Sequence, residues 1–167
     1  YDGYMMHQRM GFYVSKNDKL LTLAFYGHTE DPFEKGGIGR VVREVNEDGS
    51  YGPIYFIRYN SHTQWNETNT SYPFYKTSKD KAFVAACEEL LDNTLITLQW
   101  RDEDNGVDGF YTGKRGGEAF SYYSRKDGAI VGFWKRSATA LSTDGGKHFS
   151  TPVKAETLTM AGGKIWA

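Results

Sequence analysis

Histidine and arginine side chains flank the first strand-like segments of this chain. His7 and Arg9 precede a strand pattern that begins at residue 11, and His28 follows shortly after the apolar run 20–26. Histidine can move protons near neutral pH, and arginine can hold a carboxylate through two parallel hydrogen bonds. We therefore expect catalytic roles for His7 and His28, and substrate-binding roles for Arg9 and Tyr26. The alternatives are a packed His7 at the strand entry and a solvated His28 in a loop.

A second group of candidates lies further along the chain. A tyrosine beside cations can act as an acid, a base or a nucleophile, so we expect Tyr111 and Arg125 to be catalytic. The alternative is that Tyr111 is an aromatic residue on the rim of the fold with no catalytic role. Trp134 and Arg136 could supply a stacking surface and a cation for substrate binding, and packing of an outer strand is the alternative.

A third group follows a strand pattern near the middle of the chain. Trp100 and Arg101 are expected to bind substrate, and they precede the acidic residues 102–104. Paired carboxyl groups can act as general acid and base on a glycosidic bond, but consecutive acids at a strand end are also typical of a solvated loop. No metal-ligand spacing, phosphate loop or Ser-His-Asp pattern is visible, so we expect no metal and no other cofactor.

Two stretches with the same order of elements must position these groups. The first has strand patterns over 11–15, 20–26, 38–45 and 54–59. The second repeats that order, with a turn over 124–128 and strand patterns over 129–134 and 138–141. Both copies lead into an Asp-Gly turn that ends in a proline, Pro53 or Pro152. This internal repeat predicts an all-β fold, a β-propeller built from four-stranded antiparallel blades.

The segment between the two copies differs from both. Asp80 can cap a helix, and the apolar residues that follow it have the spacing of one helical face, which predicts a short helix near 80–91. We expect a strand over 94–100 and a long glycine-rich loop over 106–117. We interpret 61–93 as an insertion into one propeller domain that spans residues 1–167 and holds about three blades.

The stretch 142–149 contains the most informative turn. The Asp144 carboxylate can accept backbone hydrogen bonds, the two glycines after it can take positive φ, and an aromatic ring ends the turn. Its pattern resembles the Asp-box of the sialidase superfamily, also called the bacterial neuraminidase repeat, through Ser142, Asp144, Gly146 and Phe149. In that superfamily Asp-boxes are structural turns that join the third and fourth strands of propeller blades, away from the active site. An ordinary Asp-Gly hairpin is the alternative.

The resemblance implies a glycan-active protein. True sialidases hold the sialate carboxylate with three arginines and use a tyrosine nucleophile paired with glutamate, with an aspartate as acid and base. Their amino-terminal Arg-Ile-Pro signature is absent from this sequence. Related propeller lyases and rhamnosidases act on uronate-containing glycans, and His7 and His28 are similar to the paired histidines of those lyases. We expect a sialidase-like exo-glycoside hydrolase, with a lyase or rhamnosidase-type propeller and a non-catalytic glycan-binding propeller as alternatives.

The composition narrows the range of partners. The chain has 20 basic and 21 acidic residues, so no strong field attracts nucleic acid. No apolar run approaches the roughly 18 residues that a membrane-spanning helix needs. Aromatic residues make up 16% of the chain, and aromatic rings both fill β cores and stack on sugars. We expect a glycan or polysaccharide substrate, the remaining blades of a larger propeller as partners, and a secreted or periplasmic location.

Overall fold

The computed structural model describes residues 4–28, 38–60, 64–97, 120–134 and 138–155, and for 4–10 and 28 it describes the backbone alone. The chain divides into two compact units, Tyr1–Asp92 and Asn93–Ala167. Each unit contains one four-stranded antiparallel sheet whose strands follow one another in chain order. This confirms the predicted all-β fold and its four-stranded sheets.

The first sheet is formed by four strands joined by tight turns or a longer connection. Its strands are β1 (Tyr4–Val14), β2 (Leu20–His28), β3 (Gly39–Val45) and β4 (Tyr55–Tyr59). The first strand is longer than the pattern over 11–15 predicted, and its pairing with β2 is interrupted by two register shifts. These irregularities break the alternation of side chains that sequence reasoning depends on.

One face of the first sheet carries an aromatic cluster, defined by the buried residues Tyr26, Ile38, Val41 and Phe56. The Tyr26 and Phe56 rings meet edge to face, with their centroids 5.5 Å apart. Half-buried aromatic residues from the segment after β4 pack against the same cluster. Pro73 continues this cover at the sheet edge, where its carbonyl accepts a 2.8 Å hydrogen bond from the Phe56 N–H.

The opposite face of the first sheet receives helix α1 (Lys81–Asp92), which confirms the helix predicted near 80–91. The helix buries Phe83, Ala86, Cys87 and Leu90, which are the apolar positions of one helical face. Asp80 caps it as expected, since its Oδ1 accepts hydrogen bonds from the backbone N–H groups of Ala82 at 2.9 Å and Phe83 at 3.0 Å.

Polar contacts fasten α1 to the turn between β1 and β2. The Glu89 carboxylate accepts a 2.6 Å hydrogen bond from the Tyr13 hydroxyl and further hydrogen bonds from the Lys16 backbone N–H. The Asn17 amide donates to the Ala82 carbonyl at 2.9 Å.

An ion-pair bridge adds to these hydrogen bonds. The Lys19 ammonium lies 2.9 Å from the Glu44 carboxylate on β3 and 3.0 Å from the Asp80 carboxylate at the start of α1. These contacts fix the helix at one position on the sheet.

The second sheet consists of β5 (Ser121–Ser124), β6 (Ile130–Trp134), β7 (Ala138–Ser142) and β8 (Val153–Lys154). Its core contains Phe120, Trp134 and Ala140, with Leu95 and Phe149 packed against them. On the other face Tyr123, Leu141 and Val153 are exposed. Because paired residues point to the same side, this exposed set forms an apolar stripe across the sheet.

The prediction of a strand over 94–100 is wrong for residues 94–97, the part that the structure describes, because these residues form a helical turn. The Asn93 side chain accepts hydrogen bonds from the Leu95 and Ile96 N–H groups, and its carbonyl accepts one from Thr97 at 3.0 Å. This cap starts a new helical turn directly after α1 and overrides the β propensity of the threonines and isoleucine. The predicted glycine-rich loop over 106–117 lies outside the described residues.

None of the helices in the described part of the chain is long and apolar enough to cross a membrane.

Candidate functional site

The two ends of the first sheet are built differently. At one end the strands are joined by the tight turns 15–19 and 46–52, and we call this the hairpin end. At the other end Tyr4 pairs with His28, and Tyr26 pairs with Gly39, which pairs with Tyr59. We call this second end the His28 end. The connection from β2 to β3 and the segment after β4 both leave from this end.

The backbone brings both predicted catalytic histidines towards the His28 end. His28 is the last residue of β2. His7 lies on the neighbouring strand, in the register shift between Met5 and Gln8, while Arg9 pairs with Ala24 further into the sheet. The backbones of His7 and His28 thus lie on two adjacent strands, towards the same end of the sheet.

Sequence reasoning missed a pair of arginines near this end. Arg40 and Arg58 pair across β3 and β4, and Arg40 is fully buried. The Arg40 Nη1 donates to the Gly39 carbonyl at 3.1 Å, and its guanidinium carbon lies 4.8 Å from the centre of the Phe25 ring. A buried guanidinium is costly unless such interactions stabilise it, so its presence places a fixed positive charge beside the predicted site. The alternation over 38–45 gave no sign that Arg40 is buried.

Tyr26 of the aromatic cluster and Tyr59, which packs against that cluster, lie at the His28 end. Tyr26 is 5% exposed and contacts Tyr72 edge to face at 5.6 Å, so the core takes the ring that was predicted to bind substrate. Tyr59 stacks between Phe56 and Phe74, with centroid distances of 4.7 and 5.7 Å. Burial raises the pKa of the Tyr59 phenol, and the negative charge of Glu67 adds to this effect.

The turn at 142–149 has a dense hydrogen-bond pattern. The Ser142 hydroxyl donates to Asp144 Oδ1 and accepts from the Gly146 N–H, each at 2.9 Å. The Asp144 carboxylate also accepts from the His148 N–H at 2.9 Å and contacts His148 Nδ1 at 2.6 Å. The hydrogen bonds from the His148 backbone and ring lower the pKa of Asp144. Both glycines take positive φ, as predicted.

Phe149 closes this turn onto the core of the second sheet. Its ring meets Trp134 at 5.5 Å and Phe120 at 6.0 Å, both edge to face. Trp134 is fully buried there, so the structure favours the packing alternative for this tryptophan over a stacking surface for sugars. The aromatic ring that ends the turn therefore packs into the core of the second sheet.

Arg125 lies in the turn between β5 and β6. Its N–H donates to the Ala129 carbonyl at 2.8 Å, and its half-exposed guanidinium pairs with Asp127 at 2.8 Å. In an antiparallel sheet of consecutive strands, this turn lies at the same end as the connection from β7 to β8. Arg125 thus shares one end of its sheet with the Asp144 turn.

Four predicted site residues lie outside the described part of the chain, namely Trp100, Arg101, Tyr111 and Arg136. Among the described residues no group of three or more His, Cys, Asp or Glu side chains could hold a metal ion. The free Cys87 is buried in α1, and burial raises the pKa of its thiol to about 12, so it is an unreactive packing residue.

Comparisons with known proteins identify the fold family. Residues 2–117 match the family described as a BT_1020-like, N-terminal beta propeller. The chain belongs to this family. The match includes the whole first sheet and α1 of this propeller, whereas the second sheet follows it in the chain.

A solved structure named "Sialidase" is also similar to this propeller chain. The two share 45% sequence identity, and their structures superpose with a TM-score of 0.78. The similarity covers 89% of this chain and 14% of the other, so the chain spans a small part of that protein. No curated protein matches the chain.

Proposed function

We propose that this propeller chain is part of a carbohydrate-active enzyme, a sialidase-like exo-glycoside hydrolase. The family match and the identity to a structure named "Sialidase" support the proposal. Hydrolysis breaks the bond between the anomeric carbon and the leaving oxygen, adds the oxygen of water to that carbon and transfers a proton to the leaving group. The site must therefore stabilise a positively charged sugar and move protons.

The observation that carries the proposal is the composition of the His28 end. The backbone brings His7 and His28 to this end of one strand pair, and the arginine pair Arg40 and Arg58 lies on the next two strands, β3 and β4. We infer that the histidines move protons and that Arg9 and the arginine pair stabilise negative charge on the substrate. Tyr111 is proposed as the nucleophile or base, with Trp100, Arg101 and Arg136 as further substrate contacts.

The orientation of the site follows from the Asp144 turn, which we propose is an Asp-box. It joins the third and fourth strands of its sheet, as Asp-boxes do in the sialidase superfamily. Those turns lie away from the active site, and the corresponding connection of the first sheet is at the hairpin end. The His28 end is therefore the ligand end of the blade. Arg125 shares the turn end of its own sheet, so we leave it out of the proposed site.

We further propose that additional blades complete the ring and that the protein is secreted or periplasmic. Propellers contain about 4–8 blades, whereas the described residues form two four-stranded sheets. The exposed apolar stripe of Tyr123, Leu141 and Val153 is a surface that an adjacent blade would cover. Fractionation of cells that produce the protein tests its location, and recovery from the cytoplasm alone would contradict it.

Product analysis tests the hydrolase proposal. The protein is incubated with sialyllactose and, separately, with an oligogalacturonide, and the products are separated and identified. Release of free sialic acid together with unmodified lactose is the expected result, because hydrolysis frees the anomeric carbon of sialic acid and returns a hydroxyl group to galactose. No cleavage of sialylated or other glycosides would contradict the hydrolase and leave a glycan-binding propeller.

A β-eliminating lyase is the second candidate, favoured by the position of His7 and His28 at the same end of one strand pair. Such an enzyme would neutralise the uronate carboxylate with arginine and histidine and remove the C5 proton with tyrosine or histidine. The leaving oxygen departs as a double bond forms between C4 and C5. An ultraviolet-absorbing product from the oligogalacturonide would identify this activity, and hydrolytic products alone would exclude it.

A further inference from the structure

We propose that Trp65 and Glu67 form a subsite for a neutral sugar at the His28 end of the first sheet. The two residues lie on the loop 64–70, to which sequence reasoning gave no role. The inference rests on the proposed function, because the subsite would bind the sugar next to the terminal unit that the hydrolase removes. It adds two binding residues from the described part of the chain.

The loop stands at the ligand end of the blade. Tyr59 is the last residue of β4, and its hydroxyl lies 3.2 Å from the Thr70 hydroxyl. Through Gly39, Tyr59 belongs to the same cross-strand row as Tyr26, two residues before His28. A glycan bound at the His28 end would therefore extend over this loop.

The Trp65 ring is held in place without being fully buried. It is half-buried and packs against the aromatic cluster of Tyr26, Ile38, Val41 and Phe56. A ring that packs against a rigid core and keeps part of its surface accessible is suited to stack on the apolar face of a sugar. Because the core fixes the ring beforehand, little side-chain entropy is lost on binding.

Hydrogen bonds inside the loop make it rigid despite its exposure. The Asn66 Oδ1 accepts from the Thr68 N–H at 2.9 Å and from the Thr68 hydroxyl at 2.6 Å. The Asn69 Oδ1 accepts from the Asn66 N–H at 2.8 Å, and both amide groups donate to the Gln64 carbonyl at 3.0 Å. A loop fixed in this way presents its remaining side chains in one arrangement.

Glu67 supplies the charge that selects the ligand. Its side chain is exposed, whereas the polar side chains of Asn66, Thr68 and Asn69 already make the hydrogen bonds within the loop. A carboxylate accepts hydrogen bonds from neighbouring sugar hydroxyls and repels an acidic sugar. The charge of Glu67 therefore favours a neutral sugar over an acidic one at this loop.

Lactose binding tests this subsite, followed by isothermal titration calorimetry and by tryptophan fluorescence. The variants are Trp65→Phe, Trp65→Ala and Glu67→Gln. Tyr51→Ala is the matched control, because Tyr51 is an exposed aromatic residue (56%) at the hairpin end of the same sheet. We expect lactose to change the tryptophan fluorescence of the wild-type protein. We expect about 10-fold weaker binding for Trp65→Ala, a smaller loss for Trp65→Phe and Glu67→Gln, and no change for Tyr51→Ala.

Two results would overturn the subsite. They are the absence of lactose binding by the wild-type protein, and unchanged lactose affinity in folded Trp65→Phe and Glu67→Gln proteins. Circular dichroism shows which variants are folded, so a Trp65→Ala protein that unfolds is replaced by the two conservative variants. Because lactose binding is measured without turnover, a protein that binds lactose through Trp65 yet cleaves no sialyllactose would uphold the subsite and contradict the hydrolase.

Discussion

The two sheets have the same strand order but are completed by different means. In the first sheet a capped helix is fastened by polar contacts such as Tyr13 to Glu89, and an aromatic cluster covers the other face. The second sheet has a smaller core around Trp134, and the hydrogen bonds of the Asp144 turn fix the connection between its last two strands. The apolar stripe on its other face is exposed. The strands of the first sheet thus carry the proposed site, while the segments that differ between the two sheets supply α1 and the loop with Trp65 and Glu67.

The largest effect is expected in the core of the second sheet. Trp134 is fully buried between Phe120 and Phe149, so Trp134→Ala removes the ring that both others contact. Large-to-small core substitutions of this kind cost about 3–5 kcal/mol. Chemical denaturation of wild type and Trp134→Ala measures this loss in the free energy of unfolding. An unchanged free energy of unfolding would contradict the packing of Trp134 in this core.

The two Asp-Gly turns offer a matched pair of glycine substitutions. Gly146 has φ +87, and a Cβ there would lie 2.3 Å from a Leu95 methyl carbon, whereas Gly49 has φ +81 with nothing within 4 Å of such a Cβ. Gly49→Ala should therefore cost only the backbone strain, about 1 kcal/mol. Gly146→Ala adds a clash and should cost more in the free energy of unfolding. Equal losses would contradict the close packing of Leu95 under the Asp144 turn.

The contact between Tyr13 and Glu89 should contribute a smaller amount. Tyr13→Phe removes one hydrogen bond between the first sheet and α1, at a cost of about 1 kcal/mol. The same contact and burial raise the pKa of Tyr13 to about 12, burial being the larger cause. The contribution of protonated Tyr13 to the free energy of unfolding is therefore complete below the pKa of about 10 that the phenol has in the unfolded chain. It is lost as the pH rises towards 12. Ultraviolet titration of wild type and Tyr13→Phe would detect this late-ionising phenol, and a normal titration would contradict the contact.

The smallest effect is the acid sensitivity of the Asp144 turn. Hydrogen bonds from His148 lower the pKa of Asp144 in the folded protein. The contribution of the carboxylate to stability is therefore complete above its unfolded pKa of about 4 and is lost as the pH falls towards the lower folded value. Thermal unfolding should show wild type more stable than Asp144→Asn at pH 7, with a narrower difference near pH 3. A difference independent of pH would show that the charge is unimportant.

Local signals in the sequence predicted much of the scaffold. The Asp80 cap and the apolar spacing after it predicted α1 within a residue or two, and the repeated turns predicted the strand order. Residues 94–97 were predicted wrongly because the Asn93 cap outweighed the β propensity of the segment. A single side chain thus decided the type of element.

The candidate site was less predictable, because it depends on contacts between distant segments. His7 and His28 were expected before the first strand pattern and after the second, and the structure places both on the strand pair β1 and β2. The bulges of β1 left no trace in the residue pattern. Arg40 was missed because its burial depends on Phe25 and on strands that pack around it. Tyr26 and Trp134 were expected to contact substrate, although each ring is buried in its own sheet. Aromatic residues at strand ends carry no local signal that separates these two environments.

The most direct measurement of the central claim, that function lies at the His28 end, compares one substitution at each end of the first sheet. The catalytic efficiency kcat/KM is measured with sialyllactose for wild type, His28→Ala and Tyr51→Ala, each shown by circular dichroism to be folded. Loss of a general acid or base costs about 100-fold or more, so His28→Ala should lose at least that much while Tyr51→Ala keeps the wild-type value. Full activity in a folded His28→Ala protein would contradict the account.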